Sequence, residues 1–383
     1  MSPKPFTHFK PLHQHRLLFN ALSALVLAIG LALSGADPAR ADGKLNMYNW
    51  SDYISDSTVP NFEKEFGVKM RYDTFDSNEV LHAKLVAGKT GYDIVVPSSN
   101  WGALQLRGGL LTKLDMSKIP NAKNLDPTVM AQLAKLDPGN QYLIPWFWGY
   151  TTVGINVAQV KKALGDLPMP EDAWALVFDP KYASRVKSCG VSMLDSGQDI
   201  MEAMMVYLGI PVASNNTADF QRAWAELQKI RSYVTLFSSS GYINDLAGGS
   251  VCVSLGWSSD MNIAAQRARD AKAGTTVQVL IPPKGGVLFY DTVAIPADAA
   301  NLENAYKFIN YRLRPDVSAN DTNQVFYPSP VVGNEKLIKP EVANNKTVYL
   351  SKEDMARMHA PRTYNNDQRR LVTRSYTSFK TGM

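Results

Sequence analysis

Carboxylates stand beside aromatic rings at three well-separated places in this chain: Trp50-Ser51-Asp52-Tyr53, Trp257-Ser258-Ser259-Asp260 and Phe289-Tyr290-Asp291. A ring face attracts a cation through its quadrupole, and a carboxylate adds charge and charge-assisted hydrogen bonds. Converging on one cleft, such clusters make an anionic, aromatic box for a small organic cation. Taken singly, a Trp at a strand end usually packs, and an exposed Asp usually caps a helix or meets water. Three clusters shift that balance. Binding a cation needs no catalyst, because a desolvated ammonium is satisfied by carboxylates and hydrogen-bond acceptors.

Other chemistries find little support. After residue 41 only His82 and His359 remain, and His82 falls inside an expected helix with no Ser or Cys motif beside it. Neither G-x-S-x-G nor H-E-x-x-H occurs. Gly88-Lys89-Thr90 resembles the end of a phosphate loop, but position 83 is Ala where that loop needs glycine. Carboxylates beside rings would also suit a sugar, or glycoside hydrolysis, without a specific signature for either. Two cysteines with no nearby His do not make a zinc site. No metal or cofactor is expected, and the chain is read as a non-enzyme.

The elements that carry these clusters alternate between strand and helix. Leu45–Tyr48, Val68–Tyr72 and Tyr92–Val96 read as strands. Val59–Phe66 reads as a short helix, with Pro60 near its start and Gly67 after it. Asp76 with Glu79 resembles a capping box for a helix ending near Ala87, stopped by Gly88. Further on, Phe220, Trp224, Leu227 and Ile230 mark one face of a helix from about Thr217. Val251–Leu255 reads as a strand, followed by a helix capped by Ser258 or Ser259, and Asn301–Leu313 as another helix. Asp260 then lies in a first helical turn, where free N–H groups favour its charge. The alternation predicts an α/β fold with largely parallel sheets covered by helices. In such sheets ligands bind beyond the carboxyl ends of the strands. Trp50, Ser98 and Trp257 each follow a strand signal, which places them together without appeal to any family.

The N-terminal stretch reads as an export signal. Lys4, Lys10 and Arg16 precede an uncharged run from Leu17 to Ala36, and Ala39-Arg40-Ala41 is a small-x-small cleavage site. A membrane anchor is the alternative reading of that run. Residues 1–41 are therefore expected to be a signal peptide, and the remainder periplasmic. Lys4, Lys10, Arg16 and Arg40 against Asp37 give that segment a net +3, so only +2 of the chain's +5 belongs to the rest. This balance argues against a nucleic-acid partner or an acidic membrane surface. The remaining ~340 residues are enough for two lobes. In an oxidising compartment Cys189 and Cys252 read as a disulfide, with two buried free thiols as the alternative.

The chain resembles the substrate-binding receptors of bacterial polyamine ABC transporters, most closely the putrescine-binding type. The resemblance runs over residues 45–383. It is carried by Tyr48-Asn49-Trp50-Ser51-Asp52-Tyr53, Phe75-Asp76-Ser77-Asn78-Glu79-Val80-Leu81, Val95-Val96-Pro97-Ser98, Lys187-Ser188-Cys189-Gly190-Val191-Ser192, Tyr242-Ile243-Asn244-Asp245-Leu246-Ala247, Gly256-Trp257 and Val325-Phe326-Tyr327. It implies a two-lobed type II periplasmic binding protein that closes about a hinge. Lobe 1 spans 42–150, completed by about 289–330. Lobe 2 spans 151–288, completed by about 331–383. It further implies that Trp50, Ser51, Asp52, Tyr53 and Ser98 line one side of the cleft, and Trp257 and Asp260 the other. Phe289 and Asp291 sit near a hinge crossing, and Tyr327 completes the aromatic wall. The Cys189–Cys252 disulfide is implied too, as are an inner-membrane ABC permease as partner and a monomeric state.

Three departures bear on specificity. Asp199 stands where putrescine receptors have Glu, Ser196 replaces a small apolar residue, and Asn100-Trp101 replaces Ser-Phe. A shorter acid lengthens the gap to its ammonium by about one C–C bond, which a water can bridge. The expected ligand is putrescine or a related diamine or polyamine. Agmatine, cadaverine, spermidine, 4-aminobutyrate and a non-transporting amine sensor are the alternatives.

Overall fold

The computed structural model describes residues 43–382 apart from residue 273. The expected signal peptide lies outside the described residues. The first sheet is built from β1 (Lys44–Trp50), β2 (Lys69–Phe75) and β3 (Ile94–Val95), in the order β2-β1-β3 and parallel throughout. Helix α1 (Thr58–Phe66) joins β1 to β2 and ends at Gly67, whose φ of 65° suits a residue without a Cβ. Helix α2 (Asn78–Ala87) joins β2 to β3. Its cap is Ser77, whose Oγ accepts from Val80 N at 3.3 Å, one residue later than the Asp76–Glu79 box expected from sequence. Helix α3 (Ser99–Arg107) begins directly after β3.

The second sheet contains β4 (Ile144–Asn156), β5 (Val191–Met193), β6 (Leu236–Phe237), β7 (Val253–Trp257), β8 (Val277–Leu280) and β9 (Leu288–Val293). The order is β6-β5-β7-β4-β8, and β9 also pairs with β4. Parallel pairing holds for β5 with β6 and β7. The pairs made by β4 with β7, β8 and β9 are antiparallel. Helices α4 (Gly197–Tyr207) and α5 (Ser258–Ala271) follow β5 and β7. The disulfide between Cys189 and Cys252, with Cα atoms 5.5 Å apart, fastens the entries of β5 and β7 to each other.

Two strands link the sheets. The first half of β4 pairs with β9, from Ile144–Val293 to Tyr150–Leu288, and its second half pairs with β7 and β8. Beyond β9, Ala294 exchanges both backbone hydrogen bonds with Val95 of β3, at 3.0 and 2.9 Å. The β4 sequence Ile-Pro-Trp-Phe-Trp-Gly-Tyr-Thr-Thr-Val-Gly-Ile-Asn is aromatic and β-branched, as a strand buried on both faces requires. Gly149 interrupts it opposite Phe289, and a Cβ there would lie 2.6 Å from the Phe289 ring. The missing side chain is the space the ring fills. Gly149→Ala is expected to destabilise the fold by about 1–3 kcal/mol and to push Phe289 out of position. Denaturant unfolding with a parallel amine titration checks both effects.

A buried ion pair holds the loop after β1. Arg312 Nε lies 3.0 Å from Asp321 Oδ2, both side chains almost fully buried, and the guanidinium stacks over Trp146 and Phe147. The other Asp321 oxygen accepts from Ser55 N at 3.1 Å and from the Thr58 hydroxyl. Ser51 and Tyr53 are thereby presented from an anchored turn.

Candidate ligand-binding site

Where β1, β3 and β7 end and β9 begins, the two sheets face a common cleft of about 740 Å³, mouth included. Asp291, on β9, is 3 % exposed. Its Oδ1 accepts from Ser98 Oγ and its Oδ2 from Tyr53 OH, each at 2.6 Å. Ser98 is fixed in turn by Asn78, which accepts from Ser98 N at 3.0 Å and donates to its Oγ at 2.9 Å. Asp260 sits in the first turn of α5, as expected, though neither Ser258 nor Ser259 caps that helix; the cap position is Trp257. Asp260 Oδ1 accepts from Tyr327 OH at 2.6 Å and Oδ2 from Tyr242 OH at 2.8 Å. Gly256 makes the second bond possible, since a Cβ there would come within 2.5 Å of the Tyr242 ring.

Both carboxylates are thus held by neutral hydroxyls alone. Burial pushes each up to about 7, against the hydrogen bonds that favour the charged form. Asp199, in the first turn of α4, is raised by burial and steadied by Ser196 and the Trp257 side chain. The aromatic walls are continuous. Trp50 meets Trp257 edge-on at 5.5 Å, Trp257 lies 6.4 Å from Phe289, Phe289 6.2 Å from Tyr327, and Tyr327 4.5 Å from Tyr53. The indole N–H of Trp50 donates to Val96 O at 2.9 Å, which fixes that ring.

The cleft gathers Trp50, Ser51, Tyr53, Ser98, Asp199, Trp257, Asp260, Phe289, Asp291 and Tyr327, together with Asn100, Trp101 and Ser196. Asp52 is the exception. It adopts a left-handed φ of 52° and turns away to pair with Arg267 of α5, outside the cleft lining. Each partner is about one-third exposed, so Asp52→Asn is expected to change amine affinity by less than about 1 kcal/mol. A larger loss in calorimetry would return Asp52 to the site. Asn100 donates to Arg362 O at 2.9 Å and Trp101 donates to Gln198 at 3.2 Å, so these two close one end of the cleft.

Sequence reading overlooked Glu79, Gln198 and Glu202, which also line the cleft. Glu79 does so from the first turn of α2, which Ser77 rather than Asp76 starts. Burial raises Glu79 to about 7 and Glu202 to about 8. A signal for Glu202 existed: it is the one charge in the apolar run Ile200–Val206 and lies three residues after Asp199, on the same helical face.

Residues 58–346 match the family described as bacterial extracellular solute-binding protein, and the chain belongs to that family. It is 44% identical over 359 residues to the putrescine-binding periplasmic protein SpuD of Pseudomonas aeruginosa, covering 93% of this chain and 98% of that one. It is 42% identical over 362 residues to the putrescine-binding periplasmic protein PotF of Escherichia coli, covering 94% and 98%. The crystal structure of the spermidine/putrescine ABC transporter substrate-binding protein PotD of Streptococcus pneumoniae superposes with a TM-score of 0.69 at 25% identity, covering 89% of this chain and 99% of that one. The fold is that of a periplasmic binding protein.

Proposed function

We propose that this chain is a periplasmic receptor that binds an aliphatic polyamine in the cleft and delivers it to an inner-membrane ABC permease. One observation carries the reading: among the described residues five carboxylates line the cleft and no Lys or Arg does. Aromatic walls suit a methylene chain, and the carboxylates suit ammonium groups at its ends. A ligand bearing its own carboxylate, such as 4-aminobutyrate, would find no cationic partner there. The names of the relatives point the same way. The reading is of binding without turnover, in keeping with relatives named as binding proteins.

The first lobe is read as 42–150 with about 289–330, and the second as 151–288 with about 331–383. β4 and β9 are the crossings between them. Ligand bridging Asp291 and Ser98 on one side and Asp260 and Trp257 on the other stabilises the closed arrangement, because both sets of contacts exist only there. Isothermal titration of the mature protein, stripped of ligand by unfolding and refolding, tests the reading. The panel is putrescine, cadaverine, spermidine, agmatine and 4-aminobutyrate. Micromolar or tighter binding of an amine, and none of 4-aminobutyrate, is expected; absence of binding across the panel refutes the proposal.

A further inference from the structure

We propose that Glu202 and Glu79 extend the amine site beyond Asp199 into a further cation subsite, and that the preferred ligand is therefore a linear triamine rather than a diamine. This rests on the polyamine reading above and refines it.

Glu202 is only 2 % exposed, yet it lines the cleft. It follows Asp199 by three residues on α4, so it projects from the same face about 4.5 Å further along the axis. Ile200, Met201, Ala203, Met204, Met205 and Val206 around it are buried. A carboxylate in such a setting is costly unless a cation meets it. Among the described residues no cation forms an ion pair with it, although the charge of Arg362 acts on it. Glu202 Oε1 accepts only a neutral bond, from Gln198 Nε2 at 2.9 Å. The buried Tyr364 hydroxyl lies beside Glu202 without a hydrogen-bond partner of good geometry. Arg362 is the cation whose charge acts on Glu202. Its two terminal nitrogens are committed elsewhere, to Val212 O at 2.7 Å, Ser214 O at 2.5 Å, Asn215 at 3.0 Å and Gln368 at 3.1 Å, while its Nε has no hydrogen-bond partner.

Glu79 reaches the same region from α2, and the charge on Asp199 is felt by Glu79, Glu202 and Asp291 alike. Asp199 therefore lies near all three, with Glu202 three residues further along the same helix and Glu79 in the same cleft lining. A diamine bridging the Asp291 and Asp260 sides, with Asp199 beside it, leaves the glutamates with no positive partner. A third ammonium, one short alkyl link further on, meets them. Among the described residues no group of His, Cys, Asp or Glu side chains is arranged to hold a metal ion, so an extended organic cation fits this spread of carboxylates.

The test is calorimetric titration of refolded protein with putrescine and with spermidine, for the parent and for Glu202→Gln and Glu79→Gln. The amide keeps the size of the side chain, and thermal melting of each variant verifies its fold. The parent is expected to prefer the triamine by about tenfold or more, and Glu202→Gln to lower that preference about tenfold. A parent that binds the diamine as tightly as the triamine overturns the proposal. So does a preference that survives in both variants. Either outcome leaves amine binding itself standing, whereas no binding of either amine by the parent removes the polyamine reading as well.

Discussion

Amine affinity falls steeply as the pH is lowered through 7. Asp260 and Asp291 are buried among hydroxyls, and without ligand each keeps its proton up to about pH 7. An alkylammonium stays charged over this whole range. It binds the ionised carboxylates, so below pH 7 binding must release protons. Each carboxyl then costs up to about tenfold per pH unit, and the two together approach ~10⁴-fold by about pH 5. Above about pH 9, beyond the range of Glu202 as well, the affinity levels off. Titrations in buffers of different ionisation enthalpy measure the released protons directly. An affinity constant between pH 5.5 and 8 would show that the carboxylates are ionised before ligand arrives. The ligand-free protein responds in the opposite sense. Carboxyls raised by folding contribute stability that is complete at low pH and lost as pH rises through 7, so its melting temperature is expected to climb as pH falls from 8 to 6.

Asp291→Ala is expected to weaken binding by about 2–4 kcal/mol, because it strips an ammonium of its charged partner. It also leaves Tyr53 OH and Ser98 Oγ without their shared acceptor. Loss of folding is not the expected cause. At pH 8 the parent buries a charge met by two hydroxyls but by no cation, and relief of that burial in the variant offsets the two hydrogen bonds lost. The ligand-free variant should therefore melt no lower than its parent at pH 8 while binding far more weakly. Asp260→Ala should behave alike, with Tyr242 and Tyr327 losing their acceptor. Full affinity in both variants would disprove the assignment of these two residues.

The sequence disclosed the elements better than the directions of side chains. Pro60 and Gly67 bracket α1 as read, Gly88 ends α2, and Asp260 falls in a first helical turn. Local chemistry decides such features, so local sequence reveals them. Asp52 shows the limit. It stands between Ser51 and Tyr53, both in the cleft, yet a left-handed backbone at that one residue sends its side chain to Arg267. Adjacency to an aromatic residue does not state which way an acid points. Glu79 looked like a capping residue until the cap proved to be Ser77. Tyr242 becomes a partner of Asp260 only because Gly256 clears its path, a relation between residues in different elements that no pattern along the chain records. The full length of β4 and its antiparallel partners were likewise hidden, since they depend on β9, far away in sequence.

That dependence also governs how the molecule comes into being. The edge of the first sheet at Val95 is satisfied by Ala294, and the Asp93 carboxylate accepts from Ala300 N and Asn301 N at 3.0 and 2.8 Å. Some two hundred residues must be made before those partners exist. Contacts of such sequence separation make folding slow, because a long loop must close before they contribute. A nascent chain of this topology therefore cannot complete its first sheet until most of it has been synthesised. For a protein that works in the periplasm, that delay keeps the polypeptide threadable until it has crossed the membrane.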